Sequence, residues 1–161
     1  MEVAYRISKT KYSGSHDEMF SGAGAAINAG RWNSKGNPMV YASDSRALAT
    51  LEIAVHLKNE DKLEAYSVCE IVIPDGLCEV VDPADLPAGW DELVVNPLAA
   101  QSWGDIWIDF GATPTVKIPS VLMPAEWNYL INPEHGDFDK LELGPIYPHP
   151  FDRRIKSNSL V

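Results

Sequence analysis

The sequence predicts an α+β fold, formed by one compact domain in which flanking helices cover a mixed or antiparallel β core. Its 161 residues fit a single domain. Several short segments alternate like strands, whereas only two segments have a helical pattern. Because these helices do not alternate regularly with the strands, a doubly wound sheet is not expected. Neither G-x-G-x-x-G nor G-x-x-x-x-G-K-[ST] occurs, which argues against a Rossmann or P-loop nucleotide site.

The N-terminal segment predicts one strand followed by a long loop. Apolar and polar side chains alternate over residues 3–7, as in a strand. Residues 8–30 are small and polar, so we expect little regular structure there. Loops of this length inside a compact domain are usually functional or mobile. This one leads directly into Gly30-Arg31-Trp32-Asn33, which makes Arg31 a candidate functional residue.

A turn at residues 34–38 and a short strand at residues 39–42 lead into a predicted helix at residues 43–57. Small hydroxyl and carboxylate residues at the start of this helix can cap its first turn. Elements that follow one another along the chain are normally neighbours in space. We therefore expect Arg31, before the turn, and Tyr41, in the strand, to lie close to this helix.

One position of this helix conflicts with its amphipathic pattern. Leu48, Leu51 and Val55 form an apolar stripe at i, i+3 and i+7, and Glu52 occupies the i+4 position of the same stripe. An unpaired carboxylate on a core-facing side costs several kcal/mol. Two interpretations follow: Glu52 reaches solvent or pairs with an arginine at the helix edge, or it belongs to a functional site.

The middle of the chain predicts two more strands and an irregular segment. Residues 65–73 alternate and are rich in β-branched residues, which is typical of a strand with one buried side. A brief pairing strand is predicted at residues 79–81, before the Pro-rich, irregular residues 82–90.

A second helix is predicted at residues 97–110, with Pro97 in its first turn and Gly111 at its end. Apolar residues at i, i+3, i+4 and i+7 of this helix are expected to pack in the core: Trp103, Ile106, Trp107 and Phe110.

The C-terminal part predicts an interrupted strand at residues 116–123. Pro119 confines this strand to an edge or an irregularity, so Ser120 should lie at a break in the strand. A last short strand is predicted at residues 141–143, and residues 155–161 are expected to fray.

Charge restricts the classes of function. The net charge is −10, and residues 61–161 carry seventeen Asp/Glu against six Lys/Arg, whereas residues 1–60 carry six against seven. A protein that grips nucleic acid through its phosphates normally presents a basic face. We therefore expect no direct nucleic-acid binding, and an RNase is disfavoured for the same reason.

Composition also bears on the compartment. No apolar run approaches the ~20 residues of a membrane span, and the N-terminus lacks the basic flank and apolar region of a signal peptide. Without an export signal, Cys69 and Cys78 are expected to be reduced. No Cys/His cluster has zinc-ligand spacing. The sequence predicts a cytoplasmic protein with no metal and no membrane contact.

Several short motifs follow one another in a specific order: Gly30-Arg31-Trp32-Asn33, Met39-Val40-Tyr41, Leu51-Glu52, Ile118-Pro119-Ser120-Val121-Leu122-Met123-Pro124, Asn128-Tyr129-Leu130-Ile131-Asn132-Pro133-Glu134-His135 and Phe151-Asp152-Arg153-Arg154. Their order and spacing resemble those of the RES domain family, over residues 5–154. That family is named for an arginine, a glutamate and a serine, which correspond here to Arg31, Glu52 and Ser120. One departure is Ala29, where many members carry a second glycine; it bears on loop flexibility.

The resemblance implies a toxin of a bacterial type II toxin–antitoxin pair. The antitoxin would be an Xre-like helix-turn-helix protein, and a homo-oligomer within the complex is allowed. The resemblance also implies a fold with a split β core, similar to that of ADP-ribosyltransferase toxins, and an activity that uses NAD⁺ as a substrate without a further cofactor. Family members are associated with NAD⁺ hydrolysis or phosphorolysis, and at least one branch with ADP-ribosylation of a protein.

The residue types fit this chemistry. Cleavage of the nicotinamide–ribose bond passes through an oxocarbenium-like centre, and a carboxylate beneath that centre stabilises its charge. We assign this catalytic role to Glu52. Arg31 is expected to hold the pyrophosphate, because a guanidinium binds phosphate oxygens in a bidentate fork. Arg6 is a second candidate cation for the substrate.

Four further side chains are candidates for the site. Tyr41 offers an aromatic face for stacking on nicotinamide. Ser120 can hydrogen-bond the ribose, the nicotinamide or Glu52. Asn128 is a candidate for substrate binding and His135 is an outer candidate, although turn or capping hydrogen bonds would explain both equally well.

Two alternatives stay open at this point. An ADP-ribosyltransferase that modifies a host protein commonly carries Glu or Gln two residues before the catalytic glutamate. Here Thr50 stands there, which favours attack by water or phosphate. The other alternative is a non-catalytic module that binds a helix-turn-helix repressor, since the acidic C-terminal part could face a basic partner.

Overall fold

A computed structural model of the protein describes residues 1–57, 64–93 and 97–156. The part of the predicted frayed tail beyond residue 156 lies outside these described residues. The strands are β1 (Glu2–Lys9), β2 (Val40–Ser43), β3 (Tyr66–Ile73), β4 (Cys78–Val80), β5 (Thr115–Pro119), β6 (Trp127–Ile131), β7 (Glu142–Leu143) and β8 (Tyr147–His149). The α-helices are α1 (His16–Met19), α2 (Ala23–Ile27), α3 (Arg46–Ala54) and α4 (Leu98–Phe110).

The strands form one mixed sheet in the order β4-β5-β6-β2-β1-β3-β7, and β8 also pairs with β3. β4 and β5 are parallel, whereas the other described pairs are antiparallel. β1 and β3 pair along their whole length, but β1 and β2 pair at one position, Tyr5 opposite Ser43. The two halves of the sheet are therefore joined by a narrow connection. The predicted α+β fold with a mixed β core is confirmed.

Side chains alternate between the two faces of the sheet, and each face has its own core. α1 contributes to the first core, α4 to the second and α3 to a smaller third cluster beside the second. The first core includes Ala4, Val40, Ala42, Cys69, Ile71, Tyr129 and Ile131, whereas Tyr5, Ile7, Tyr41, Val68, Ile118 and Leu130 pack on the opposite face.

α3 is shorter than the predicted helix and buries a different stripe. Ser43 belongs to β2, and the helix is capped by Ser45, whose Oγ accepts the Leu48 N–H at 3.0 Å. The predicted stripe is wrong, because Leu51 and Val55 are 39% and 56% exposed. The residues that face the sheet follow i, i+1, i+4 and i+5: Leu48, Ala49, Glu52 and Ile53.

α4 differs from prediction in the same way. Ile106 and Phe110 are 67% and 80% exposed, so the predicted core stripe is wrong for both. The buried residues of this helix are Ala100, Gln101, Gly104 and Trp107. Pro97 is the N-terminal cap and not the first helical residue, whereas Gly111 ends the helix as predicted, in the left-handed conformation. α4, the longest described helix, has 13 residues, and none of the described helices is long and apolar enough to cross a membrane.

The long loop and two strands also differ from prediction. The segment 8–30 contains α1 and α2 and not only irregular chain. The strand predicted at residues 116–123 ends at Pro119. β6 and β8 carry no clear alternation and were not predicted as strands. β6 pairs with the distant β2 as well as with its chain neighbour β5, and β8 pairs with the distant β3.

Candidate active site

The carboxylate of Glu52 lies between α3 and the sheet, where two donors from distant segments meet it. Its Oε1 atom accepts a hydrogen bond from Ser120 Oγ at 3.1 Å and another from Asn128 Nδ2 at 2.5 Å. Glu52 is half-buried. Hydrogen bonds to an ionised carboxylate are roughly twice as strong as neutral ones. The three residues therefore form one polar cluster centred on Glu52.

The hydroxyl of Ser120 has a fixed direction. Ser120 directly follows β5 and is buried, and its Oγ accepts the backbone N–H groups of Leu122 at 3.1 Å and Met123 at 3.2 Å. These bonds occupy the lone pairs of the oxygen, so its one proton points to Glu52. β5 thus ends at Pro119, where a break was predicted, and the buried Ser120 side chain lies against α3.

Asn128 is held by a residue that sequence analysis missed. Its Oδ1 accepts a hydrogen bond from Ser43 Oγ at 2.7 Å, and the two residues are directly opposite in the β2–β6 ladder. The signal for Ser43 was its spacing of two residues from Tyr41, which puts both side chains on the same face of a strand. The predicted helix start at residue 43 concealed it.

The loop that carries Arg31 lies further along the same strand. Arg31 Nη1 donates to the backbone carbonyls of Trp90 at 2.9 Å and Glu92 at 3.0 Å. Tyr41 Oη accepts the Trp32 N–H at 3.2 Å, which ties the loop to β2. Since Tyr41 and Ser43 are two residues apart on one strand face, the Arg31 loop and the Glu52 cluster are anchored about 7 Å apart.

Tyr41 supports this loop through its hydroxyl. Besides accepting from Trp32, it donates to Asn33 Oδ1 at 2.6 Å. Burial raises the pKa of Tyr41 well above its usual value, so the phenol stays protonated and can keep this donation. The ring is half-buried beside the second core. The hydroxyl therefore acts as a brace for the loop, and stacking of the ring on nicotinamide stays a prediction.

α4 holds the loop from its other side. Gln101 Nε2 donates to the carbonyls of Gly30 at 3.0 Å and Asn33 at 3.3 Å, and Asp105 Oδ1 accepts the Ser34 N–H at 3.0 Å. The ring of Trp32 packs against that of Trp90, with centroids 6.0 Å apart, and against that of Trp103 at 5.4 Å.

Gly104 allows α4 to approach this loop closely, because a Cβ there would overlap the carbonyl oxygen of Trp32. We expect Gly104→Ala to lower the melting temperature by roughly 3–10 °C, because backbone must move to admit the methyl group. The matched control is Gly24→Ala in α2, where a Cβ meets nothing within 4 Å. Thermal unfolding followed by circular dichroism would measure both. Equal melting temperatures for the two variants would contradict the close approach.

Arg6 lies on the face of the sheet away from Glu52. Along β1 it alternates with Tyr5, which packs on the Glu52 face. Arg6 Nε donates to the Met19 carbonyl at 2.8 Å and Nη1 to the Tyr41 carbonyl at 2.9 Å. Burial lowers the pKa of Arg6 to about 10, which still leaves it charged at neutral pH. Arg6 therefore links α1 to β2 through these two hydrogen bonds. This geometry gives no support to the predicted contact with substrate.

His135 is engaged in a turn. Its Nδ1 accepts the Asp137 N–H at 2.9 Å, which leaves Nε2 to donate to the Gly111 carbonyl at 3.0 Å. The ring thus joins the exit of β6 to the end of α4. Of the two interpretations of His135, its contacts fit the turn and capping bonds.

Thr50, two residues before Glu52, is also engaged. Its Oγ1 donates to the Arg46 carbonyl at 2.7 Å and lies 3.0 Å from His149 Nε2. Since the Thr50 proton is used, His149 is the donor of the second bond. Burial, and to a lesser extent Arg46, lowers the pKa of His149 below 6.5.

The lowered pKa of His149 predicts that the free energy of unfolding depends on pH. As the pH falls below about 6.5, the unfolded chain takes up a proton before the folded protein does, so the free energy of unfolding decreases. We expect His149→Gln, which keeps a donor to Thr50, to lose less stability than the wild-type protein between pH 7 and pH 5. Urea unfolding at several pH values would measure the difference. Identical pH dependence in both proteins would show that His149 is not responsible.

Within the described residues, no group of three His, Cys, Asp or Glu side chains is placed to hold a metal ion. The fold and the site together define a single-domain α+β protein with a carboxylate-centred polar cluster beside an arginine-bearing loop. Residues 3–152 match the model of the RES domain, and the chain belongs to this family.

Similar proteins carry toxin names. The chain is 41% identical over 139 residues to the "Prs ADP-ribosylating toxin" of Sphingobium sp. (strain YBL2), covering 84% of this chain and 85% of that protein. It is 32% identical over 138 residues to "Toxin Res" of Photorhabdus laumondii, covering 86% of each. It is also 32% identical over 156 residues to "Toxin Res" of Yersinia enterocolitica, covering 96% of this chain and 99% of that protein.

Proposed function

We propose that this protein is a toxin that acts in the cytoplasm and consumes NAD⁺ by cleaving its nicotinamide–ribose bond, through hydrolysis or phosphorolysis. The observation that carries the proposal is the anchored carboxylate of Glu52. Both of its donors, Ser120 and Asn128, bind Oε1, and in the described part of the chain no donor lies on Oε2. One oxygen is thus fixed by the protein while the other can face the positive charge that develops on the ribose.

Arg31 is proposed to hold the pyrophosphate. Its two carbonyl contacts use Nη1 alone, and among the described residues nothing binds Nε or Nη2. A guanidinium can therefore stay tied to the 90–92 segment and still present an N–H pair to phosphate oxygens. The carbonyls of Trp90 and Glu92 would fix its direction before substrate binds.

A second candidate function is transfer of ADP-ribose to a protein. The relative with 41% identity is named an ADP-ribosylating toxin, which favours this candidate. Thr50 favours the first, because it stands where transferases commonly carry Glu or Gln. Both functions share the proposed cleavage step and differ in the acceptor: water, phosphate or a protein side chain.

The test is to incubate the purified protein with NAD⁺, with and without phosphate and a cell extract, and to identify the products by mass spectrometry. Nicotinamide with ADP-ribose indicates hydrolysis, and nicotinamide with a phosphorylated ADP-ribose indicates phosphorolysis. Label from the adenylate half on a protein band indicates transfer. No release of nicotinamide under any condition would overturn the proposal and favour a non-catalytic module that binds a repressor.

The proposed partner is an Xre-like helix-turn-helix antitoxin that covers the region of Arg31 and Glu52. The acidic balance of residues 61–161 offers a complementary surface to a basic protein. A purified complex should cleave NAD⁺ much more slowly than the toxin alone, and its mass would show whether the toxin is present as a homo-oligomer. A complex with the full rate of cleavage would contradict this mode of inhibition.

A further inference from the structure

We propose that Ser43 is a positioning residue of the active site: its hydroxyl fixes the amide of Asn128, and that amide holds Glu52 for catalysis. The catalytic part of this inference rests on the proposed NAD⁺ cleavage. The contacts themselves form a chain from Ser43 Oγ to Asn128 Oδ1 at 2.7 Å, and from Asn128 Nδ2 to Glu52 Oε1 at 2.5 Å.

The sheet places Ser43 directly beside Asn128. Ser43 is the last residue of β2 and lies opposite Asn128 in the antiparallel ladder with β6, so both side chains point to the same face. On its other side Ser43 is opposite Tyr5, the one position at which β1 and β2 pair. Ser43 is 3% exposed, so bulk water does not compete for its hydroxyl. The residue is therefore set at the narrow connection between the two halves of the sheet.

The amide of Asn128 needs this partner to keep its orientation. Glu52 offers only acceptors when it is ionised, so the Asn128 amide must turn its NH₂ group toward the carboxylate. Its oxygen then points to Ser43, which supplies the donor. The χ2 torsion of asparagine has broad, weakly restricted preferences. Without the hydroxyl, the amide oxygen would be left in the protein without its donor, and rotation that relieves this also moves the NH₂ group away from Glu52.

Loss of the hydrogen bond from Asn128 would matter because Glu52 accepts only two hydrogen bonds from the described residues, and both are on Oε1. The direction of the Ser120 hydroxyl is set by its own loop through the N–H groups of Leu122 and Met123. It does not depend on Ser43. With Asn128 released, the carboxylate could pivot about the remaining bond, and Oε2 would no longer have one position relative to the ribose. The expected effect is on turnover and not on substrate binding.

The first test compares Ser43→Ala with Ser43→Thr in steady-state release of nicotinamide. We expect Ser43→Ala to lower kcat about 10-fold, the effect of one hydrogen bond, with KM for NAD⁺ changed less than 2-fold. Ser43→Thr keeps the hydroxyl and should restore most of the turnover, since a β-branched residue suits a strand. A normal kcat in Ser43→Ala would overturn the proposal. So would an equal loss in both variants when their melting temperatures match that of the wild-type protein.

A double-mutant cycle tests whether Ser43 acts through Asn128 or independently of it. Introduced into Asn128→Ala, the Ser43→Ala change should cause no further loss of kcat, because the residue through which it acts is absent. A further 10-fold loss would show that Ser43 does not act through Asn128.

A readout that needs no activity distinguishes failure of this proposal from failure of the proposed function. In ¹⁵N–¹H spectra, the side-chain NH₂ resonances of Asn128 should shift in Ser43→Ala and return toward their original positions in Ser43→Thr. If the wild-type protein releases no nicotinamide but these shifts occur, the proposed function fails and the positioning contact stands. If the Asn128 resonances are the same in the wild-type protein and Ser43→Ala, the proposal that Ser43 positions Asn128 is overturned whatever the activity.

Discussion

Replacing Glu52 by glutamine is expected to lower the rate of nicotinamide release by about 100- to 1000-fold, with little change in affinity for NAD⁺. The geometry allows this substitution to remove the negative charge while both hydrogen bonds are kept. Both Ser120 and Asn128 donate to the same oxygen, Oε1, so the carbonyl oxygen of a glutamine can accept both bonds. The amide nitrogen would then replace Oε2, and what is lost is the negative charge facing the oxocarbenium-like centre. Steady-state kinetics and NAD⁺ titration by calorimetry would measure the two quantities.

The matched control for this variant is Glu134→Gln, which removes one negative charge at an exposed position outside the polar cluster. It should release nicotinamide at the wild-type rate. If Glu52→Gln did the same, Glu52 would not be the catalytic carboxylate. A loss of NAD⁺ binding as large as the loss of turnover would instead assign Glu52 to substrate binding.

The inward placement of Glu52 could be predicted from the sequence, but the reason for it could not. The helical period correctly put Glu52 among core-facing positions, although the stripe chosen was wrong because Leu51 and Val55 are exposed. Periodicity treats alanine as a weak signal, whereas Ala49 is buried where the helix contacts the sheet. A helix of nine residues is too short for its amphipathic pattern to distinguish the predicted stripe through Leu51 and Val55 from the observed stripe through Ala49.

The hydrogen-bond partners of Glu52 could be predicted from the sequence to different degrees. The family resemblance supplied Ser120, and the position of Pro119 correctly predicted that the strand breaks there. Ser43 was missed because three residues in a row can cap a helix, and the choice among them depends on where β2 ends. That boundary is set by pairing of β2 with β6, in which Ser43 and Asn128 are 85 residues apart. Register over such a distance is not encoded in local preferences.

Contacts made by backbone atoms were also beyond prediction. Arg31 is oriented by the carbonyls of Trp90 and Glu92, about 60 residues away. Carbonyl groups are the same in every residue, so the irregular, Pro-rich segment gave no sign of this role. Arg6 shows the converse: an arginine in a first strand was a reasonable candidate cation, but strand alternation places it on the opposite face.

Arg31→Lys is expected to raise KM for NAD⁺ by roughly 10- to 100-fold with a smaller effect on kcat. Lysine keeps the charge but has no planar fork, so it cannot hold phosphate oxygens in a bidentate arrangement while it stays bound to two carbonyls. A charge-assisted hydrogen bond of this kind contributes about 1.5–3 kcal/mol. Steady-state kinetics would measure the change. Lys35→Gln, at an exposed position four residues further on, controls for the general effect of positive charge in this loop.

The choice of substrate separates the two roles that Arg31 could have. Nicotinamide riboside contains the scissile bond but no pyrophosphate. If Arg31 binds the pyrophosphate, Arg31→Lys should impair cleavage of NAD⁺ far more than cleavage of the riboside, because the lost contact exists only with NAD⁺. Equal impairment with both substrates would mean that Arg31 acts by holding the 90–92 segment in place. An unchanged KM for NAD⁺ would remove Arg31 from the substrate site and leave Glu52, Ser120 and Asn128 as the part of the site that carries the chemistry.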